Sequence, residues 1–200
     1  MNPALAGRAF LMASFAGTMT TWAKPFVRDF SDIDAATGAT PLANLAEKNP
    51  DSLLDLFLGK RSGSLGEVCA VALIIGLIYL LARKVIKPTI PFFYIGTVAV
   101  IMLFAGKFSL TFLLYELMAG GLLLGAIFMA TDYTTSPVNF KGQVIYAIGC
   151  GLITSLIRLY GSLPEGVSFA IIIMNILTPH IENLTFRKPF GTEKKGAEKG

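Results

Sequence analysis

The sequence predicts an all-α integral membrane protein with about six transmembrane helices. Three observations carry the all-α membrane class. Of the 200 residues, 54% are hydrophobic and 15% are charged, against about 25% charged in soluble domains. Mean hydropathy is +0.64. The apolar residues gather in runs near the length of about 20 that a helix needs to cross a bilayer core. Basic residues cluster at the ends of those runs, where they orient helices and anchor them to headgroups. A net charge of +4 distributed in this way does not point to a nucleic-acid partner.

The expected spans follow in order. The first, Pro3 to Trp22, is rich in small residues and contains Arg8. The opening "MNPALAGRAFL" has no charged leader and no small-residue cleavage site, so the membrane helices are expected to direct insertion. Residues 23–64 form the longest polar stretch and contain "TGATPLANL", Thr37 to Leu45. The second span, Leu65 to Ala82, ends on "RKVIKP". The third runs from Ile90 to Ala105, and the fourth from Leu110 to Ala130 with Glu116 inside it. The fifth, Gln143 to Tyr160, carries Arg158 near its end, and the sixth runs from Gly166 to Ile181. The chain thus divides into a first helix over 1–22, a loop over 23–64, a five-helix membrane domain over 65–182 and a basic tail over 183–200. The tail's last dozen residues are expected to be disordered.

Orientation follows from the short connections. "RKVIK" and the tail "RKPFGTEKKGAEKG" carry most of the loop and tail cations, which places both on the cytoplasmic side. The 23–64 loop then faces outward.

Polar residues within the spans are few. A charge at the depth of Glu116 is costly and often functional; it is read either as part of an ion path or as a side chain reaching the outer interface. Asp132 is read as a loop cap and Asn175 as an interhelical hydrogen-bonding residue. Arg158 either meets a phosphate or snorkels to the interface. Glu67 has a helix N-terminus explanation. Gly121, Gly125, Gly149 and Gly151 are expected to allow close helix approach. Cys69 and Cys150 have no metal-type or disulfide-type spacing, and no metal site is expected. His180 is expected to have an interfacial structural role.

Four stretches together carry a family signature: "DAATGATPL" (Asp34 to Leu42), "GSLGE" (Gly63 to Glu67), "GGLLLGAIFMATDYTTSP" (Gly120 to Pro137) and "RLYGSLPEGVSFAIIIMN" (Arg158 to Asn175). On these the chain resembles the NqrB/RnfD family of membrane flavoproteins, and within it the RnfD branch, subunits of the Rnf ion-translocating ferredoxin:NAD oxidoreductase. The resemblance implies a fold of about ten helices in two inverted repeats, with this chain beginning late in the first. It implies FMN joined to Thr40 by a phosphoester bond, within a motif met by Asp34, Thr37, Gly38, Ala39 and Thr40. It also implies a separate flavin transferase, partner Rnf subunits including a second covalent-FMN subunit, a bacterial or archaeal cell membrane, and a non-covalent riboflavin with no stretch that places it.

The residue types suit that chemistry. A phosphate ester needs a hydroxyl acceptor. Gly38 and Ala39 leave the backbone bare, and Pro41 biases Thr40 toward extended geometry. By itself "TGAT" also reads as a polar turn. The alternatives to an electron-transfer subunit are a solute channel of urea-transporter-like fold and a structural scaffold. No nucleotide-binding glycine motif and no iron–sulfur spacing occurs, so NAD and ferredoxin are expected to be handled by partners.

Overall fold

The computed structural model describes residues 1–20, 22–23, 37–38, 53–59, 63–64, 66–106, 108–118, 120–161 and 166–185. Asp34, Ala39 and Thr40 lie outside the described residues. Within them the chain is all-α apart from one two-residue strand pair.

Helix α1 spans Pro3–Ser14. Asn2 caps it, its side chain accepting from the Ala4 N–H at 3.0 Å, and Pro3 fills the first turn where no N–H is needed. The helix stops at Phe15, and α2 (Ala16–Thr20) follows. The first expected span is therefore interrupted. Strand β1, Trp22–Ala23, pairs antiparallel with β2, Thr37–Gly38, in the register Trp22 to Gly38 and Ala23 to Thr37. Helix α3 covers Leu53–Leu58.

Helix α4, Ala70–Ala82, starts later than the apolar run that contains it. Residues 66–69 form a turn instead, which frees Glu67 for a tertiary contact. Its far end closes with paired bonds from Lys84 N to Leu81 O and from Val85 N to Leu80 O, both 3.0 Å. This is a Schellman closure, with Lys84 at φ 54° in the left-handed position.

Helix α5, Thr89–Ala105, is apolar throughout and ends at Gly106. Helix α6, Leu110–Met118, and α7, Leu122–Met129, meet at a 63° bend. The fourth expected span is thus broken. Gly120 sits there at φ 69°, a conformation that only glycine adopts without strain. After one α turn, α7 widens into a π segment over Gly125–Met129, with Ala130 N bonding Gly125 O at 2.7 Å. Helices α8, Phe140–Tyr160, and α9, Val167–Thr185, are long and apolar enough to cross a membrane, and α6 with α7 meet that test as a bent pair. Helix α5, with 17 residues, reaches about 25 Å, short of a bilayer core of about 30 Å.

Helix α8 is the central element, packed along α5 on one side and α9 on the other, with α1 laid against α9. Tyr94, Val98, Leu122, Ile127, Tyr146 and Ile171 are fully enclosed. The outer surface is apolar: Ile75, Ile78, Phe92, Phe104, Leu156 and Ile176 are more than half exposed. Meanwhile Glu67, Glu116, Gln143, Thr154, Ser155, Ser168 and Asn175 are buried. Apolar outside and polar inside is the arrangement of a protein solvated by lipid.

Candidate functional site

Two ion pairs converge on the α6–α7 break, one enclosed at both ends and one with its arginine partly exposed. In the first, Arg158 Nη1 donates to Glu116 Oε2 at 3.1 Å and to the Glu116 backbone carbonyl at 2.6 Å. The two side chains are only 1% and 9% exposed. The carbonyl bond explains the arrangement. Helix α6 ends at Met118, so the Glu116 carbonyl is one of the last four that have no partner within the helix. A helix end within an apolar layer needs those groups satisfied. Arg158 does this from the last turn of α8, where the negative end of the helix dipole also favours a cation.

In the second pair, Arg8 Nη2 of α1 lies 2.5 Å from Glu67 Oε1. The Glu67 carboxylate rests on Gly121, where an added Cβ would stand 2.8 Å from Oε1. One carboxylate thus belongs to the α6 arm and the other touches the start of α7. The sequence singles out Glu116 and Arg158 separately; the structure brings them together. It gives Glu67 a tertiary partner rather than a helix N-terminus role. Arg8, which in the sequence only interrupts the first span, is that partner. Its depth in an apolar run was the available signal; nothing in the spacing named Glu67.

The interior carries further polar contacts. Tyr94 and Thr154 share a hydrogen bond of 2.6 Å between α5 and α8, a pair that no sequence signal marked. Tyr146 donates to Asn175 Oδ1 at 2.7 Å, joining α8 to α9, as the polar residue in α9 led one to expect. Asp132 accepts from Asn2, Thr134 and Thr135 and so organises the α7–α8 loop. Thr178 Oγ1 reaches the Thr135 carbonyl at 3.1 Å. Cys150 is buried and Cys69 half-buried at the start of α4, both as free thiols. Among the described residues no group of three or more His, Cys, Asp or Glu converges to hold a metal ion.

The glycines allow close helix contact. A Cβ on Gly125 would overlap Val167 Cγ1, and one on Gly151 would meet Thr97 Cβ at 2.6 Å. At Gly149 it would meet the end of Met174 at 2.5 Å.

Of the "TGATPL" stretch, the Thr37–Gly38 backbone is held by Trp22–Ala23 just after α2. Thr40 follows outside the described residues.

A broken span with charges paired at its break, in a bundle that is apolar outside and polar inside, defines a multi-pass α-helical membrane protein. The chain belongs to the NQR2, RnfD, RnfE family, whose pattern matches residues 1–191. It is 47% identical to a subunit of the Na(+)-translocating ferredoxin:NAD(+) oxidoreductase complex of Acetobacterium woodii, over 97% of this chain and 60% of that protein. It is 43% identical to a subunit of the proton-translocating ferredoxin:NAD(+) oxidoreductase complex of Clostridium ljungdahlii, over 96% and 62%. To a subunit of the ion-translocating oxidoreductase complex of Stutzerimonas stutzeri it is 34% identical, over 98% and 64%. The chain therefore spans less than two thirds of the length of these curated relatives.

Proposed function

We propose that the chain acts as a membrane subunit of an Rnf-type complex, relaying electrons between ferredoxin and NAD through FMN attached to Thr40, coupled to Na+ or H+ transfer. The observation that carries this reading is the 47% identity, over nearly the whole chain, to a membrane-complex subunit named for ferredoxin:NAD(+) oxidoreduction. The intact "TGATPL" motif supports it. The names of the two most similar relatives above differ in the ion translocated, so the reading extends to either.

The residues fit a phosphoester-linked group in chemical type. Thr40 offers the hydroxyl, Gly38 and Ala39 leave room for a transferase, and the strand pairing of Thr37–Gly38 steadies the approach to it. Bound there, FMN supplies one- and two-electron transfer. The protein's own task is to hold that position on the outer face, with the C-terminus cytoplasmic and further Rnf subunits alongside.

At the break, Glu116 is proposed to lie on the ion path, with Arg158 setting its charge. The phosphate and interfacial readings of Arg158 do not fit its surroundings: the side chain is 1% exposed and held by the Glu116 carboxylate and carbonyl, which leaves no surface for the flavin phosphate.

The attachment itself is tested by co-expressing the chain with a flavin transferase and reading in-gel flavin fluorescence after denaturing electrophoresis. A fluorescent band is expected, and its loss in Thr40→Val. Fluorescence that persists in Thr40→Val refutes the site; a dark parent band favours a channel or scaffold.

A further inference from the structure

A cavity of about 260 Å³ opens between the α4–α5 turn and the α7–α8 loop. Lys84, Lys87, Tyr133, Ser136 and Gln143 line it above an apolar wall that includes Ile90. The lining residues include two lysines and no carboxylate. No ion pair forms to either lysine among the described residues. The nearby acids are engaged elsewhere: Asp132 accepts from Asn2, Thr134 and Thr135, and Glu182 accepts from the Val138 N–H at 3.1 Å. Gln143 is 5% exposed. Its Nε2 donates to the Pro137 carbonyl at 3.1 Å and to that of Val138 at 3.4 Å, which fixes the amide orientation. Its Oε1 is buried with no hydrogen-bond partner, and a buried acceptor left unpaired is costly. Lys84 occupies a left-handed position that glycine usually fills, at φ 54°, so the backbone holds a cation at a strained point.

The place of this cavity in the fold selects the ligand. It lies where α4 and α7 end and α5 and α8 begin. Val85, Tyr133 and Val138 at its edge are 42%, 72% and 71% exposed. Cations beside exposed aromatic and aliphatic groups mark a headgroup-level belt. Basic pockets between helix ends recognise anionic headgroups. The volume falls below the roughly 300–1,000 Å³ of pockets for drug-sized ligands, which suits a phosphodiester with a short polar head better than a nucleotide.

We propose that this cavity binds the headgroup of an anionic phospholipid of the phosphatidylglycerol type. Lys84 and Lys87 meet the phosphodiester, a headgroup hydroxyl donates to Gln143 Oε1, and the acyl chains run along the exposed apolar helix faces.

The test is native mass spectrometry of the detergent-purified chain, titrated with phosphatidylglycerol, phosphatidylcholine or phosphatidylmethanol. Phosphatidylglycerol adducts are expected to exceed phosphatidylcholine adducts. They should fall at least about tenfold in Lys84→Gln/Lys87→Gln, and little in Lys141→Gln, a cation outside the cavity. Preference for phosphatidylglycerol over phosphatidylmethanol, which lacks the headgroup hydroxyls, should vanish in Gln143→Leu. Equal binding of phosphatidylglycerol and phosphatidylcholine overturns the proposal, as does an equal loss in Lys141→Gln. Displacement of the lipid by millimolar inorganic phosphate reassigns the cavity to a free anion. Lipid-free melting temperatures separate lost binding from lost folding: the lysine variants should match the parent, while Gln143→Leu, which gives up the amide bonds to Pro137 and Val138, should melt lower and is read only in its ratio of phosphatidylglycerol to phosphatidylmethanol adducts.

Discussion

At the scale of single residues, the Glu116–Arg158 pair is held by mutual need. Each charge is enclosed, and neither is affordable there alone. Removing one partner of a buried pair typically costs about 3–5 kcal/mol, whereas replacing both with apolar groups is often close to neutral. Glu116→Leu is therefore expected to destabilise the protein by about 3–5 kcal/mol, read as a fall in melting temperature in detergent. Adding Arg158→Met should recover part of that loss. Recovery stays incomplete because Arg158 also bonds the Glu116 carbonyl, and an orphaned buried carbonyl costs about 1–3 kcal/mol. Purely additive losses would show that the pair contributes nothing jointly. Both residues stood out in the sequence as charges at membrane depth. Their pairing did not, because 42 positions separate them and no periodicity relates α6 to α8.

At the scale of elements, glycine tolerance depends on what faces each glycine. Gly125→Ala drives a Cβ into Val167, a β-branched side chain with little rotamer freedom, and should cost about 1–3 kcal/mol as overpacking does. Gly149→Ala meets only the flexible end of Met174, which can move aside. The gain in helix propensity of up to about 1 kcal/mol should leave that variant near the parent. Melting curves of the two, compared side by side, check the contrast; equal shifts would contradict it. At the end of α4, Lys84→Gly should relieve left-handed strain of about 1–2 kcal/mol and raise the melting temperature, while weakening lipid retention. The small residues of these helices were legible in the sequence as close-packing faces. The break was not, since "GG" inside an apolar run reads equally well as a packing face or a hinge.

At the scale of the whole molecule, the inverted polarity matters most. Apolar residues face outward, and a set of polar side chains is buried within the bundle. The proposed orientation makes a direct prediction. Single cysteines placed in the 23–64 loop of an otherwise cysteine-free chain should react with an impermeant maleimide in intact cells. Cysteines in the 186–200 tail should react only after the membrane is opened. The reverse pattern would invert the topology and place Thr40 on the cytoplasmic side. The glycine and ion-pair variants belong to the same scale in one respect: if the break serves ion transfer, Glu116→Gln should impair translocation more than electron transfer, measured as ion uptake into vesicles per NAD reduced.

The sequence by itself determined the all-α membrane class, the family and the residue types of the "TGATPL" stretch. Those properties are local: run length, the charges that flank a run, and short strings of residues are all read along the chain. Tertiary structure alone decided that the first and fourth spans are interrupted, that Arg158 closes the end of α6, that Arg8 meets a Glu67 carboxylate resting on Gly121, and that a basic cavity forms between two distant turns. Each depends on which helix ends lie side by side. Unsatisfied backbone carbonyls and lone charges in an apolar layer must find partners wherever packing brings them, and distance along the chain does not record that packing.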